Sequence, residues 1–242
     1  IITSGLPRKA GQSRLDLAQA NVNIIKDIAP QVVKEAPNAK YVIVSNPVDV
    51  LTYVFHKVSG LPENQIIGSG TILDTSRLQS ELAKIFRISP KNVHAHVYGE
   101  HGDSSFVPWS IANISNVPIA ACHDLITIPG ITTPKLDPED VEQYVRKSGG
   151  RVIARKGATF YAVSVSVCHI CKCLLTGIDT TMTVSTMMHG EYGIDDVCLS
   201  TLNLIGHNGV RGKVNVQLTD EEIGKLQHSA DTLHEVINSL DI

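Results

Sequence analysis

Residues 41–47 read YVIVSNP, and the fold class turns on them. The apolar residues run on without alternating with polar ones, so the strand they form needs cover on both faces, as in a buried parallel sheet. Asn46-Pro47 then stops the run. In an open α/β sheet the carboxyl end of such a strand is where ligands are held.

The reading extends outward from this strand. Leu15, Ala18, Val22, Ile25 and Ile28 recur at helical spacing and predict a helix over Leu15–Ala29, with Pro30 permitting a break or a new first turn. Before it, GLPRKAGQSR (5–14) has the composition of an exposed mobile loop, and Ile1–Ser4 that of a strand end. After it come a helix over Val48–Ser59, a short strand over Gln65–Gly68 and a helix from Leu73 to Phe86. Alternating strand and helix predict an α/β fold whose parallel sheet carries helices on its faces.

From His94 the pattern changes. HAHVYGEHG (94–102) and FVPWSIANI (106–114) read as strands, ITIPGITTPKLDPED (126–140) as a proline-rich connection, and Glu139–Leu175 as one long helix. TMTVSTMM (181–188), VCLSTLNLIG (197–206) and GKVNVQL (212–218) read as antiparallel strands. A closing helix spans 219–240, with Thr219 and Glu222 placed for a capping box. A domain boundary is expected near residue 70, dividing 1–70 from an α+β domain over 71–242. The chain shows neither repeats nor low-complexity tracts.

Composition narrows the function. The 242 residues carry 21 basic and 24 acidic side chains, interleaved, for a formal charge of −3. That balance leaves no electrostatic footprint for nucleic acid or an anionic membrane, and small-molecule work is the better expectation. No apolar run approaches the roughly 18 residues of a membrane span, and the first residues lack the pattern of a secretory signal. Five cysteines, three of them at 168, 171 and 173, do not spread as a disulfide framework and suit a reducing, cytosolic setting. The chain opens on Ile1 in what reads as a buried strand running into a glycine turn, as if it were the later part of a longer protein.

Several side chains could carry chemistry. Asp74 and Arg77, three apart in LDTSR, share one helix face and could point together into a cleft. A carboxylate beside a histidine such as His101 would favour the imidazolium and tune a proton donor, and arginine offers a two-pronged donor for a carboxylate. Taken alone, the pair is equally an exposed ion pair, and His101 in YGEHGDSS (98–105) is evenly divided between packing and chemistry. Arg8 and Arg14 lie in a loop whose glycine and proline permit hinge motion over an anionic ligand, or else form an ordinary basic loop. CHICKC (168–173) reads as helix packing and no metal site is expected there. GSGT (68–71) is too short for a dinucleotide fingerprint, and no GxGxxG occurs.

Taken together, GLPRKAGQSRLDL, VSNPVDVLTYV, IIGSGTILDTSR, GEHGDSSFVPWS and KGATFYAV closely resemble, in order and spacing, the NAD-dependent L-lactate and malate dehydrogenase family across essentially the whole chain. The resemblance implies the later part of a doubly wound Rossmann-type NAD domain, entered at its fourth strand, followed by a substrate domain. It implies hydride transfer between NADH and the carbonyl carbon of a 2-oxo acid, with protonated His101 donating to the oxygen. In that scheme Asp74 is the partner of His101, Arg77 grips the substrate carboxylate, and Arg14 polarises the carbonyl. Asn46 lies near substrate and nicotinamide, Thr159 walls the pocket, and Gly5, Leu6, Val44, Ser45 and Ser69 line the cofactor. Arg8 falls at the specificity position, where arginine resembles malate enzymes. Glu100, LDTSR and Thr159 resemble the lactate branch, some of whose bacterial members also carry this arginine. Lactate is the leading reading and malate the alternative. His94 matches a histidine that binds fructose 1,6-bisphosphate in some bacterial relatives, but Gln79 replaces the matching arginine, which argues against that activation. The resemblance also implies homodimers or homotetramers. A rival of another class is a non-catalytic fragment unable to hold NAD, motivated by the absent phosphate-binding turn and an unpaired strand edge at residues 1–4.

Overall fold

The computed structural model describes residues 1–7, 14–130 and 135–242, and of Arg14 the backbone only. Helix α1 (Arg14–Glu35) leads to strand β1 (Tyr41–Ile43), helix α2 (Val48–Ser59), strand β2 (Ile66–Gly68) and helix α3 (Ile72–Phe86). Ile2 pairs in parallel with Ile43, and β1 pairs in parallel with β2. The parallel sheet expected from the opening strand is therefore present, as the later strands of a doubly wound order.

Side-chain alternation explains why both faces are covered. Tyr41, Ile43 and Ile66 point into a core with Val22 and Ile25 of α1 and Leu51, Val54 and Phe55 of α2. Val42 and Ile67 point the other way, into a second core. Proline in a helix interior removes a hydrogen bond and ordinarily breaks the helix. Here α1 instead runs through Pro30 to Glu35. Ala29 is fully buried and Ile28, Val32 and Val33 pack on the same core, so the second half of the helix is held by packing.

A small sheet of β3 (Val93–His94), β4 (Asn113–Ile114) and β5 (Val117–Pro118) and a short helix α4 (Cys122–Leu125) pack against α3. The strands read over 94–102 and 106–114 are thus mostly loop, reduced to these pairs and bridges at Tyr98–Phe106 and Gly99–Ser200. Pro108 and Trp109 start a turn, with Ala112 N donating to Trp109 O at 3.2 Å. The long helix expected over Glu139–Leu175 is three: α5 (Pro138–Arg146), α6 (Ser148–Lys156) and α7 (Tyr161–Thr176). Gly157, left-handed at φ 78°, ends α6. Helix α7 is buried on one face only, through Val167, Ile170, Cys173 and Leu174, while Cys168 is exposed, so the CHICKC segment is not wholly interior.

Strands β6 (Thr180–His189), β7 (Asp195–Gly206) and β8 (Gly209–Lys213) form an antiparallel ribbon. The last strand lies earlier than the reading of 212–218. The β7–β8 turn at His207 and Asn208 sets its register, and Val214 onward leaves the ladder after one bond to Leu202 O. Helix α8 (Asp220–Asn238) closes the chain with the predicted capping box between Thr219 and Glu222.

One residue pair, Gly68 opposite Ser185, joins the parallel strands to the ribbon and makes a single five-stranded sheet, β1-β2-β6-β7-β8. A Cβ at position 68 would run into Thr52 Oγ1 and lie 2.8 Å from Ser185 Cβ. Gly68→Ala is expected to lower stability by about 1–3 kcal/mol, the usual cost of overpacking. Urea denaturation checks this, and an unchanged midpoint would contradict the role given to the seam.

Candidate active site

The carboxyl ends of the parallel strands open on one side of the sheet, at Ser4–Leu6, Val44–Asn46 and Ser69–Gly70. A buried amide ties the first two together: Leu6 N donates to Asn21 Oδ1 at 2.7 Å, and Asn21 Nδ2 donates to Asn46 O at 2.8 Å. The Asn46–Pro47 peptide is cis, and α2 begins directly after it.

Helix α3 starts from the end of β2 and is clamped to the segment that leads to His101. Thr71 Oγ1 donates to Val97 O at 2.5 Å, and Val97 N donates to Thr75 Oγ1 at 2.9 Å. The chain then pairs with β7, Gly99 N to Ser200 O at 3.0 Å and Ser200 N to Gly99 O at 3.2 Å. Gly99 takes φ 94°, a left-handed conformation that disfavours any side chain, and a Cβ there would lie 2.7 Å from Ser229 Oγ of α8. Ser229 Oγ also accepts the Glu100 N–H at 2.7 Å. With α3 on one side and α8 on the other, His101 is fixed opposite Asp74.

The three groups read from sequence meet. Asp74 Oδ2 lies 2.6 Å from His101 Nδ1, and its Oδ1 accepts from Arg77 Nη1 at 2.9 Å. His101 feels burial against its charged form, but the charge and hydrogen bond of Asp74, helped by Asp49, outweigh it and carry its pKa up to about 9. Burial likewise opposes the ionised Asp74, yet His101 and Arg77 hold it below the usual carboxylate range. At neutral pH the site is therefore an imidazolium and a guanidinium bridged by one carboxylate, a proton donor beside an anion clamp.

They face a cavity of about 210 Å³ that Val44, Asn46, Ser69 and Thr159 also line. Gly5, Leu6 and Ser45 stand outside that cavity's wall, on the adjoining exposed shelf of strand ends, where Ser45 Oγ donates to Ser4 O at 2.8 Å. Arg8 and the side chain of Arg14 lie outside the described residues. Gln79 donates to Ala95 O at 3.2 Å, and His94 is exposed nearby in sequence. Among the described residues no group of three or more histidine, cysteine or carboxylate side chains is arranged to hold a metal ion. No helix among them is long and apolar enough to cross a membrane.

Sequence reasoning missed Arg146, Gly149 and Asp49. Arg146 lines the cavity and donates to Ser105 O at 2.8 Å and Glu142 Oε2 at 3.1 Å, and Gly149 lines it beside Arg77. Both lie in the stretch read as one unbroken helix, which hid the turn that brings them to the wall. Asp49 had a signal, a lone carboxylate in the apolar run VDVLTYVF.

Comparison with known proteins bears on this geometry. Residues 1–68 match the model of the lactate/malate dehydrogenase NAD binding domain, and residues 71–241 that of the lactate/malate dehydrogenase alpha/beta C-terminal domain. An L-lactate dehydrogenase of Thermoanaerobacterium saccharolyticum is 42% identical over 242 residues, all of this chain and 77% of the relative. L-lactate dehydrogenase 1 of Clostridium acetobutylicum is 41% identical, covering 99% of this chain and 76% of the relative. Among solved structures, a lactate dehydrogenase from a Medee basin deep-sea metagenome library matches with TM-score 0.92 at 34% identity, over 98% of this chain and 74% of the other. Malate dehydrogenase from Archaeoglobus fulgidus in complex with NADH matches with TM-score 0.84 at 37% identity, over 98% and 73%.

The electrostatics can be tested without substrate. Asp74→Asn keeps a side chain of the same size but removes the charge that raises His101, so the imidazole should titrate more than about one unit lower. NMR titration of the His101 ring checks this. An unmoved midpoint would mean that Asp74 does not set its charge.

Proposed function

The chain belongs to the lactate/malate dehydrogenase family, and on that footing we propose that it catalyses reversible hydride transfer between NADH and pyruvate, giving L-lactate. The observation that carries the reading is the single carboxylate of Asp74 that orients His101 and Arg77 together at one cavity. Arg77 binds the substrate carboxylate through its planar fork, which sets the 2-oxo group beside His101. With Nδ1 held by Asp74, Nε2 is the ring nitrogen left to give its proton to the carbonyl oxygen in reduction and to take it back in oxidation. Arg14 completes the reading as the group that polarises the carbonyl, and Thr159 as part of the pocket wall.

NAD is the cofactor of this family's amino-terminal domain, and when bound it supplies or accepts the hydride. The strand ends suit its nicotinamide side. Gly5 has no side chain to stand over Ser45, and a Cβ there would lie 3.2 Å from Ser45 Cβ, so no side chain covers the shelf at Gly5 beside Val44, Ser45, Asn46 and Ser69, while Asn21 holds the Leu6 backbone in place.

The division into 1–70 and 71–242 is kept as part of this proposal, supported by the change of family model between residues 68 and 71. So is a homo-oligomeric assembly, dimer or tetramer, supported by apolar side chains open to solvent on α7: Tyr161 (77%), Val165 (70%) and Leu175 (81%). A cytoplasmic setting fits five free cysteines. Malate is the second reading, favoured by Arg8, whose charge would pair with a second substrate carboxylate.

Following NADH absorbance, pyruvate should be preferred over oxaloacetate, and the opposite preference would overturn the lactate assignment in favour of malate. Under the malate reading Arg8→Gln moves preference toward pyruvate. His101→Gln should lower kcat by about 10²–10⁴-fold, the span of acid-base catalysis. Reduction needs His101 protonated, so its rate should be sustained below the raised pKa and fall as pH passes about 9, while lactate oxidation gains over the same interval. A reduction rate that climbs through that range would exclude His101 as the donor.

A further inference from the structure

Asp49 is a buried ionisable group that the proposed reaction above does not use directly. It sits in the first turn of α2, 3% exposed, within the apolar run VDVLTYVF. Its Oδ2 accepts the main-chain N–H of His101 at 2.7 Å. Its Oδ1 meets no donor at hydrogen-bond geometry among the described residues; the Ser185 hydroxyl, which also lacks such a bond, lies close enough to favour the charged carboxylate without completing its pairing. A carboxylate is among the costliest groups to bury without full pairing, and packing alone would be served by an apolar residue at this position.

We propose that Asp49 is a positioning residue for proton transfer: its Oδ2 fixes the backbone of His101, and its charge joins that of Asp74 in keeping the imidazole protonated. The inference rests on the proton-donor reading of His101 given above. Asp49 follows Asn46 by three residues, so the entry to α2 supplies a side chain to the cavity wall and, one turn on, an anchor to the acid-base loop. A buried charge at a main-chain anchor acts on the ring without occupying either ring nitrogen, which leaves Nδ1 to Asp74 and Nε2 to substrate.

The groups that share this environment come from each neighbouring element. Burial raises the Asp49 carboxyl to about 6, the Ser185 side chain of β6 and His101 favour its ionised form, and Glu100 of the same loop disfavours it. Cys198 of β7 also feels its charge, as one of several causes after burial that hold that thiol high. From α3, Asp74 raises the pKa of His101 and Arg77 lowers it.

Asp49→Asn separates charge from support, because the amide oxygen can still accept the His101 N–H in the same space. In this variant, without substrate or NADH, the His101 ring should titrate lower by on the order of half a pH unit, the scale of a charge that acts without direct contact. The alkaline fall of pyruvate reduction should move down by the same amount, with KM for pyruvate changed less than about twofold. A packing role alone would move the melting temperature and leave the ring titration in place. The unaltered protein offers a second measurement: the His101 amide proton, bonded to Asp49, should shift with a midpoint near pH 6. A ring titration unmoved in Asp49→Asn, or an amide without that transition between about pH 5 and 8, overturns the assignment whatever the activity. Both NMR shifts together with no pyruvate or oxaloacetate reduction by the native chain would instead retain the Asp49 coupling and reject the reaction reading.

Discussion

Everything near His101 depends on how two unlike pieces of sheet are joined. The strands before residue 70 run parallel and those after 180 run antiparallel, and they share one sheet through the pairing of Gly68 with Ser185. That contact fixes where α3 begins, since the chain leaves β2 for the helix within four residues. It also fixes β7, whose Ser200 pairs with Gly99 through its main chain and accepts the Thr71 N–H through its hydroxyl oxygen at 3.1 Å. The distance between Asp74 and His101 is thus inherited from a sheet register and not from flexible side chains finding one another. A side chain at the seam would disturb the site from behind while touching none of its polar groups.

Asp74 and Asp49 approach His101 by different routes. Asp74 spends one oxygen on the imidazole and the other on Arg77, so its ionised form is favoured by two cations against the effect of burial. Among the described residues Asp49 has no cation in hydrogen-bond contact, and burial pushes it toward its neutral form. Two carboxylates near one histidine would oppose each other's ionisation if both sought the same ring nitrogen. Dividing the work between a ring contact and a backbone contact avoids that conflict.

The parts of this arrangement that could be read in the sequence are those whose meaning is local. The buried strand YVI, the amphipathic α3 bearing Asp74 and Arg77, and the Thr219–Glu222 cap each depend on residues within a turn or two of one another. The ordered motifs then made His101 more than a histidine in a loop. What stayed hidden depends on distant partners. Pro30 looks like a helix end until the core beneath Ile28, Val32 and Val33 is known. The segment 106–114 has strand composition, but two distant glutamates draw off polar groups from it: Glu142 receives Trp109 Nε1 at 2.7 Å and Glu222 receives Ser110 N at 3.0 Å. Gly157 is a stop signal inside the stretch expected to form one helix, and it ends α6. Asn21, which holds two strand ends together, looks like any polar residue on a helix.

The support that α8 gives the acid-base loop has a consequence for how the molecule is made. Ser229 stands behind Gly99, holds Glu100 N and lies 3.0 Å from Ser104 Oγ, while Glu222 of the same helix receives Ser110 N at 3.0 Å. The chain leaves the ribosome from its amino end, so residues 41–105 emerge well before this brace exists. Until residues 220–238 are out, the loop bearing His101 has α3, β7 and the start of α2 to rest on but not α8. A product cut short before Ser229 would keep the cavity-lining residues yet lack the brace that α8 gives their geometry.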